Sequence, residues 1–227
     1  MKVFGKNSLK EALNNPKKIK KVYLSDNFKD KDILKIIKDN NIRYESISSY
    51  DLDKMDNKNQ GVMTVIDDFE YTNLDDILND NIIVMLDHLE DPHNFGAIIR
   101  TVEASGIKSI IIPKDRSVDV SPTVMKTSAG ALNHINIVRV VNLNNTIKTL
   151  KDNGYFIYGA DMSGTNYKKV NYSDKVVLVI GNEGHGLSNI VRKSCDEIVS
   201  LPMNGNINSL NASVAAGILI YDLISKE

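Results

Sequence analysis

The feature that most limits what this chain can fold into is the run IIVMLD at residues 82–87, taken with the pattern that follows it. Consecutive apolar positions require cover on both faces of a strand, which is the condition of a buried parallel strand. From there to the end, strand-like and helix-like segments alternate. NFGAIIRTVEASG reads as a helix with Asn94 as N-cap and Gly106 as its stop. KSIIIP reads as a strand, and SPTVMKTSAGAL as a helix capped by Ser121 with Pro122 at its first position. INIVRVV, YFIYGA, KVVLVI and EIVSLP are further strands. NNTIKTLKDNG, stopped by Gly154, and LSNIVRKSC are helices, and SLNASVAAGILIYDLIS is a long last helix opened by Ser209 or Asn211. Such alternation implies an α/β fold, a mostly parallel sheet with helices on both faces.

The first 67 residues form a separate small α/β unit by the same reading. SLKEALNN is a short helix with Ser8 and Glu11 at capping-box spacing. KKVYLS, RYESIS and GVMTVI are strands, DKDILKIIKDNN is a helix and YDLDKM a helical turn. The acidic stretch DDFEYTNLDDILND has no strand period, and a linker is expected at 68–79, ending in a short helix. The larger domain is then expected at 80–227.

Net charge is −1, but residues 1–60 hold 14 Lys and Arg against 9 Asp and Glu, and the remainder 14 against 20. A basic front on an acidic remainder suits an anionic partner as well as it suits a solvated lysine face. One cysteine, Cys195, leaves no intramolecular disulfide and no zinc cluster, so no metal is expected. The opening MKVFGKNSLKEAL is polar, and no apolar stretch nears the roughly 20 residues that span a bilayer. These features read as a cytoplasmic chain without a membrane segment.

In parallel sheets of this kind ligands sit outside the carboxyl ends of the strands. Three loops there carry chemistry. HLEDPHNFGAIIR places Asp91, His93 and Asn94 in a loop and Arg100 on the apolar helix behind it. Arg100 has two readings: an i,i+3 pair with Glu103, or a guanidinium held for a phosphate or developing oxyanion. IGNEGHGLS has Gly181, Gly184 and Gly186, which permit close backbone approach to a ligand, with Glu183 among them. Its GxxGxG spacing differs from the GxGxxG of dinucleotide binders. LPMNGNINSLNASVAAGI places a turn before a helix of small residues, whose first N–H groups are free for capping or for ligand atoms.

In order and spacing, DPHNFGAIIRTVEASGI, LVIGNEGHGLS and LPMNGNINSLNASVAAGILIYD resemble the three motifs of the SpoU RNA 2′-O-methyltransferases, in the SPOUT superfamily. The likeness covers roughly residues 82–224. IIPKDRS and TSAGAL resemble the bacterial 23S rRNA guanosine-2′-O-methyltransferase branch, and VFGKNSLKEAL resembles the start of that branch's RNA-binding domain. The resemblance implies a C-terminal trefoil knot, which patterning alone does not reveal, since knots are nearly absent from proteins. It implies S-adenosyl-L-methionine as cofactor, a homodimer whose active site uses both subunits, and RNA as partner, 23S rRNA first and tRNA second. It places Ala160, Gly181, Leu201 and Leu210 against the cofactor, and Asn94, Arg100, Glu183, Ser209 and Asn211 among the functional polar positions. Arg100 is either the base for the 2′-hydroxyl or a charged stabiliser of the alkoxide. Two alternatives stand beside this reading: a resistance-type adenosine methyltransferase, and a non-catalytic RNA-binding assembly factor.

Overall fold

The computed structural model describes residues 1–13, 18–206 and 209–226. The chain divides into two compact units, Met1–Glu70 and Tyr71–Glu227.

In the first unit, β1 (Lys2–Phe4), α1 (Lys6–Ala12), β2 (Ile19–Ser25), α2 (Lys31–Asp39), β3 (Tyr44–Ile47), α3 (Ser49–Met55) and β4 (Val62–Ile66) follow one another. The sheet order is β1-β4-β2-β3, with β4 antiparallel to both neighbours and β2 parallel to β3. α2 places Ile33 and Ile37 one turn apart on the face that meets Leu9, Val22, Leu24 and Val62. Its start is held by Asp30, whose carboxylate accepts the N–H groups of Asp32 and Ile33 at 3.0 and 3.1 Å. Ser8 does not cap α1. The helix begins at Lys6, because Gly5, at φ 96°, turns the chain straight out of β1 while its N–H bonds Val62. The expected helix residues Asn14 and Asn15 lie outside the described residues.

The second unit is a six-stranded parallel sheet of order β10-β8-β9-β5-β6-β7. Its strands are β5 (Ile82–Leu86), β6 (Ser109–Pro113), β7 (Asn136–Val140), β8 (Phe156–Asn166), β9 (Val176–Ile180) and β10 (Glu197–Ser200). Its helices are α4 (Pro92–Ala104), α5 (Pro122–Ser128), α6 (Leu143–Asp152), α7 (Asn189–Ser194) and α8 (Ala212–Ile224). All five residues of β5, β6 and β9 are buried, as their two-faced apolar patterns require. α4 buries Phe95, Ile98, Ile99 and Val102.

Asn94 is not the cap of α4. Asp91 takes that place, accepting the N–H of His93 at 2.9 Å, because Pro92 suits the first helical position and carries Asn94 into the buried first turn. Ser121 does cap α5, but that helix stops at Ser128, where Ala129 (φ 50°) and Gly130 (φ 93°) turn left-handed before a 3-10 turn at Ala131–His134. The acidic stretch read as a linker packs, from Tyr71 on, within the second unit. Thr72 bridges Val138, and a 3-10 turn at Leu74–Ile77 buries Ile77 beside Ile83 and Val138. A single turn needs only two or three apolar residues to dock, too few to register as periodicity.

Between β8 and β10 the register jumps from Gly159↔Ile198 to Thr165↔Val199. Residues 160–164 therefore leave the ladder as an excursion, and Ser200 closes its far end by donating to the Gly164 carbonyl at 2.8 Å. A side chain at Gly164 would run into the Ile198 backbone. Below this excursion lies Cys195, whose thiol donates to the Val191 carbonyl at 3.3 Å. Burial pushes the thiol up to about 12. At pH 8 it is neutral in the folded protein and should resist iodoacetamide, then react on unfolding in urea as an ordinary thiol does. Alkylation followed by mass spectrometry measures this; native labelling as fast as labelling in urea would contradict the burial.

Candidate active site at the strand ends

Adjacent strands β5 and β9 end together, and the loops leaving them are joined by hydrogen bonds. The Asp87 N–H donates to the Ile180 carbonyl at 2.8 Å. The Asp87 carboxylate, wholly buried, accepts from the Ser188 N–H and from His88 Nδ1, each at 2.6 Å. A buried charge is tolerated only when satisfied in this way. Asn182 completes the joint. Its Nδ2 donates to the His88 carbonyl at 2.8 Å, while its Oδ1 accepts the N–H groups of Gly184 and His185 at 2.8 and 3.3 Å. Asn182 and Gly186 exchange backbone bonds of 2.9 Å, and a side chain at Gly181 would strike the Gly186 backbone. Glycine at 181 and at 186, the latter at φ 66°, is thus required by a hairpin-tight turn.

Three of the polar residues singled out in the sequence form one chain of bonds. Asn211 caps α8: its Oδ1 accepts the Ser213 N–H at 2.9 Å and the Val214 N–H at 3.4 Å. That choice leaves Asn211 Nδ2 to donate, and it donates to Asn94 Oδ1 at 2.9 Å. Asn94 must then present Nδ2 on its other side, where it donates to Glu183 Oε1 at 3.1 Å. The Asp91 N–H reaches the same oxygen at 3.3 Å. The direction of every bond is therefore set by the helix start, and the chain ends on a carboxylate. Asn94 is buried, whereas Glu183 and Asn211 are exposed at either end.

The remaining candidates stand apart from this chain. Arg100 is exposed on α4 and makes no hydrogen bond or ion pair with the described residues, so the pair with Glu103 is not formed. Ser209 is exposed and likewise unbonded among them. Gly181 is buried in its turn; Ala160 begins the excursion after Gly159; Leu201 follows β10 half-buried; Leu210 is exposed before α8. Ile207 and Asn208, in the third loop, lie outside the described residues. Because β10, β8 and β9 are neighbours, the segments that follow Gly159, Ile180 and Ser200 emerge side by side. Backbone that leaves the β8–β10 ladder thus lies beside the glycine turn after β9. Asp87 and Asn182, which hold the loops together, were not singled out in the sequence. A lone carboxylate ending an apolar strand is the signal that marks Asp87.

Comparisons with known proteins fit this geometry. The SpoU rRNA methylase family model matches residues 81–221, and a model for RNA 2′-O ribose methyltransferase substrate binding matches residues 2–72. A Staphylococcus saprophyticus protein assigned to the TrmH family of tRNA/rRNA methyltransferases is 40% identical, over 99% of this chain and 95% of its own length. The crystal structure of the SpoU methyltransferase AviRb from Streptomyces viridochromogenes, in complex with AdoMet, is 25% identical, with a TM-score of 0.82 over 100% of this chain and 89% of its own. An Aquifex aeolicus structure (A. aeolicus TrmH/SpoU tRNA modifying enzyme) is 29% identical, with a TM-score of 0.58, and covers 65% of this chain and 76% of its own.

The directed chain predicts unequal effects of two conservative changes. Asn94→Asp replaces the Nδ2 donor by a second carboxylate facing Glu183, and should cost about 1–3 kcal/mol at pH 7. Part of the loss should return as pH falls towards 5, since like charges raise one carboxyl's pKa and its protonation removes the repulsion. Glu183→Gln keeps an acceptor for Asn94 and should cost less. Urea unfolding of both variants at the two pH values measures the difference; equal costs without pH dependence would contradict the bond directions.

Proposed function

This chain belongs to the SpoU rRNA methylase family, and from that membership we propose that it methylates the ribose 2′-hydroxyl of a guanosine in 23S rRNA. It is an RNA methyltransferase that uses S-adenosyl-L-methionine. The observation that carries the placement is the bond chain Glu183–Asn94–Asn211, lying where the glycine turn and the excursion at residues 160–164 meet the strand ends. The cofactor supplies an electrophilic methyl group on a positively charged sulfur. Ala160, Gly181, Leu201 and Leu210 are assigned to hold it, mainly through backbone groups, with no metal involved.

A neutral 2′-hydroxyl is a poor nucleophile and must lose its proton as the new bond forms. Arg100 is assigned to this step as a charged group. A guanidinium pKa above about 12 makes it a poor base, whereas a free fork of donors suits an alkoxide and the neighbouring phosphate. Its freedom from any partner among the described residues supports this assignment. Asn94, Glu183 and Asn211 hold the frame, and Ser209 stands at the mouth of the third loop. The first unit, residues 1–67, is assigned to RNA binding, supported by its positive balance and by the substrate-binding match. A C-terminal trefoil knot and a cytoplasmic location complete the reading.

A second copy of the chain is assigned to α8. Val214, Ile218 and Tyr221 are 49, 38 and 51% exposed, and their spacing of four and three residues puts them on one face of α8. An apolar stripe of this kind on a helix is cover for a partner. Introducing Ile218→Asp should yield monomers in sedimentation and strongly reduce methyl transfer; an active monomer would contradict a shared site.

The decisive test of the reaction is methylation by purified protein. Ribose methylation is mapped on 23S rRNA and tRNA from cells with and without the gene, and a site confined to tRNA would overturn the rRNA assignment. In single-turnover assays Arg100→Ala should lose about 100-fold or more in rate while keeping cofactor affinity, the scale of removing one preorganised donor. Arg100→Lys should fail as well, with little response to raised pH, because an ammonium lacks the planar fork. Rescue of Lys at high pH would restore the base role.

A further inference from the structure

The excursion at residues 160–164 is an ordered device with one open acceptor. Asp161 Oδ1 accepts both the Ser163 N–H at 3.0 Å and the Ser163 hydroxyl at 2.7 Å, closing a tight turn at the base of the loop. Met162 is 66% exposed at its tip. Asp161 Oδ2 faces the glycine turn of the neighbouring strand end, 3.9 Å from where a side chain would begin on Gly186. The only cation near it, among the described residues, is Arg192, whose Nε lies 3.6 Å away, beyond hydrogen-bond reach, while Nη2 donates to Ser163 Oγ at 2.6 Å. Arg192 thus holds the loop and pairs with Oδ2, which accepts no hydrogen bond among the described residues and lies beside Gly186. Partial burial works against ionisation, but the Ser163 bonds and Arg192 outweigh it, and the carboxyl sits below its ordinary value.

We infer that Asp161 is the residue that recognises the ribose of S-adenosyl-L-methionine, its Oδ2 accepting the hydroxyls of the cis-diol; the inference rests on the methyltransferase reading above. Charge selects among the donors that the cofactor offers. Its amino-acid carboxylate is repelled by Asp161. Its ammonium is disfavoured by the guanidinium 3.6 Å from the same oxygen. Neutral hydroxyl donors meet neither objection, and a carboxylate just past Gly159, where β8 stops pairing with β9, is well placed to accept them. Glycine at 186 keeps any side chain from standing against Oδ2.

Calorimetry on the full chain tests this with S-adenosylhomocysteine and its 2′- and 3′-deoxy analogues. Deoxygenation should weaken binding to the wild type by about tenfold or more, the scale of a hydrogen bond to a charged group. Asp161→Asn should weaken S-adenosylhomocysteine by a similar factor and become indifferent to deoxygenation. Arg192→Gln, which disturbs the loop but keeps the carboxylate, should retain the deoxygenation penalty. Wild-type affinity in Asp161→Asn would overturn the proposal. So would a variant that binds weakly yet still suffers the full penalty, since the residue would then act on the amino-acid end or only on loop shape. A wild type that binds neither S-adenosyl-L-methionine nor S-adenosylhomocysteine sinks the methyltransferase reading itself, and this inference with it.

Discussion

The first N–H groups of α8 have no carbonyl within the helix to bond, and most of the site follows from how they are satisfied. Asn211 lends them its amide oxygen, and an amide has one oxygen to lend. Its nitrogen must therefore face Asn94, and the nitrogen of Asn94 must face an acceptor, which Glu183 provides. The same accounting explains the buried Asp87 carboxylate, which takes up the Ser188 N–H where α7 begins. Two helix starts thus orient the polar groups of loops that are remote in sequence. The charges at the ends of these chains are positioned by backbone requirements and not by mutual attraction.

Much of the second unit was legible because burial writes itself as apolar runs. β5, β6 and β9 are covered on both faces; β5 and β9 read in the sequence as uninterrupted hydrophobic stretches, and β6 as three isoleucines between Ser109 and Pro113. Caps were less legible. Asp91 and Asn94 stand three residues apart and both are good cap residues; what separates them is Pro92, which suits only the first helical position. Ser8 lost to Gly5 for a related reason, a positive φ that a serine would adopt at a cost. The segment at 71–79 was read as a linker because the few apolar residues of one 3-10 turn carry no period.

The polar site was legible in a different way. Asn94, Glu183 and Asn211 were recognisable through likeness to a family, and no pattern of spacing predicts that they touch. Asp161 was not legible at all. Its position depends on a register jump between β8 and β10, a property of pairing between segments with no local signature at residue 161. Asp87 was readable in principle, as an acid ending a strand whose every other residue is buried.

The strand order β10-β8-β9-β5-β6-β7 has a consequence for synthesis. The half of the sheet made of β5, β6 and β7 is complete when residue 140 has been made, and it grows outward from its first strand by short steps. The other half is laid down beyond β5, and its last strand must join outside β8, so its contacts close long loops and form late. Asn94 finds Glu183 across 89 residues and Asn211 across 117. The first unit, residues 1–70, is made long before these partners exist. The bond chain from Glu183 through Asn94 to Asn211 is completed only when the last helix is in place. A chain that stops short of α8 therefore leaves Asn94 Oδ1 without the donor that the complete chain supplies.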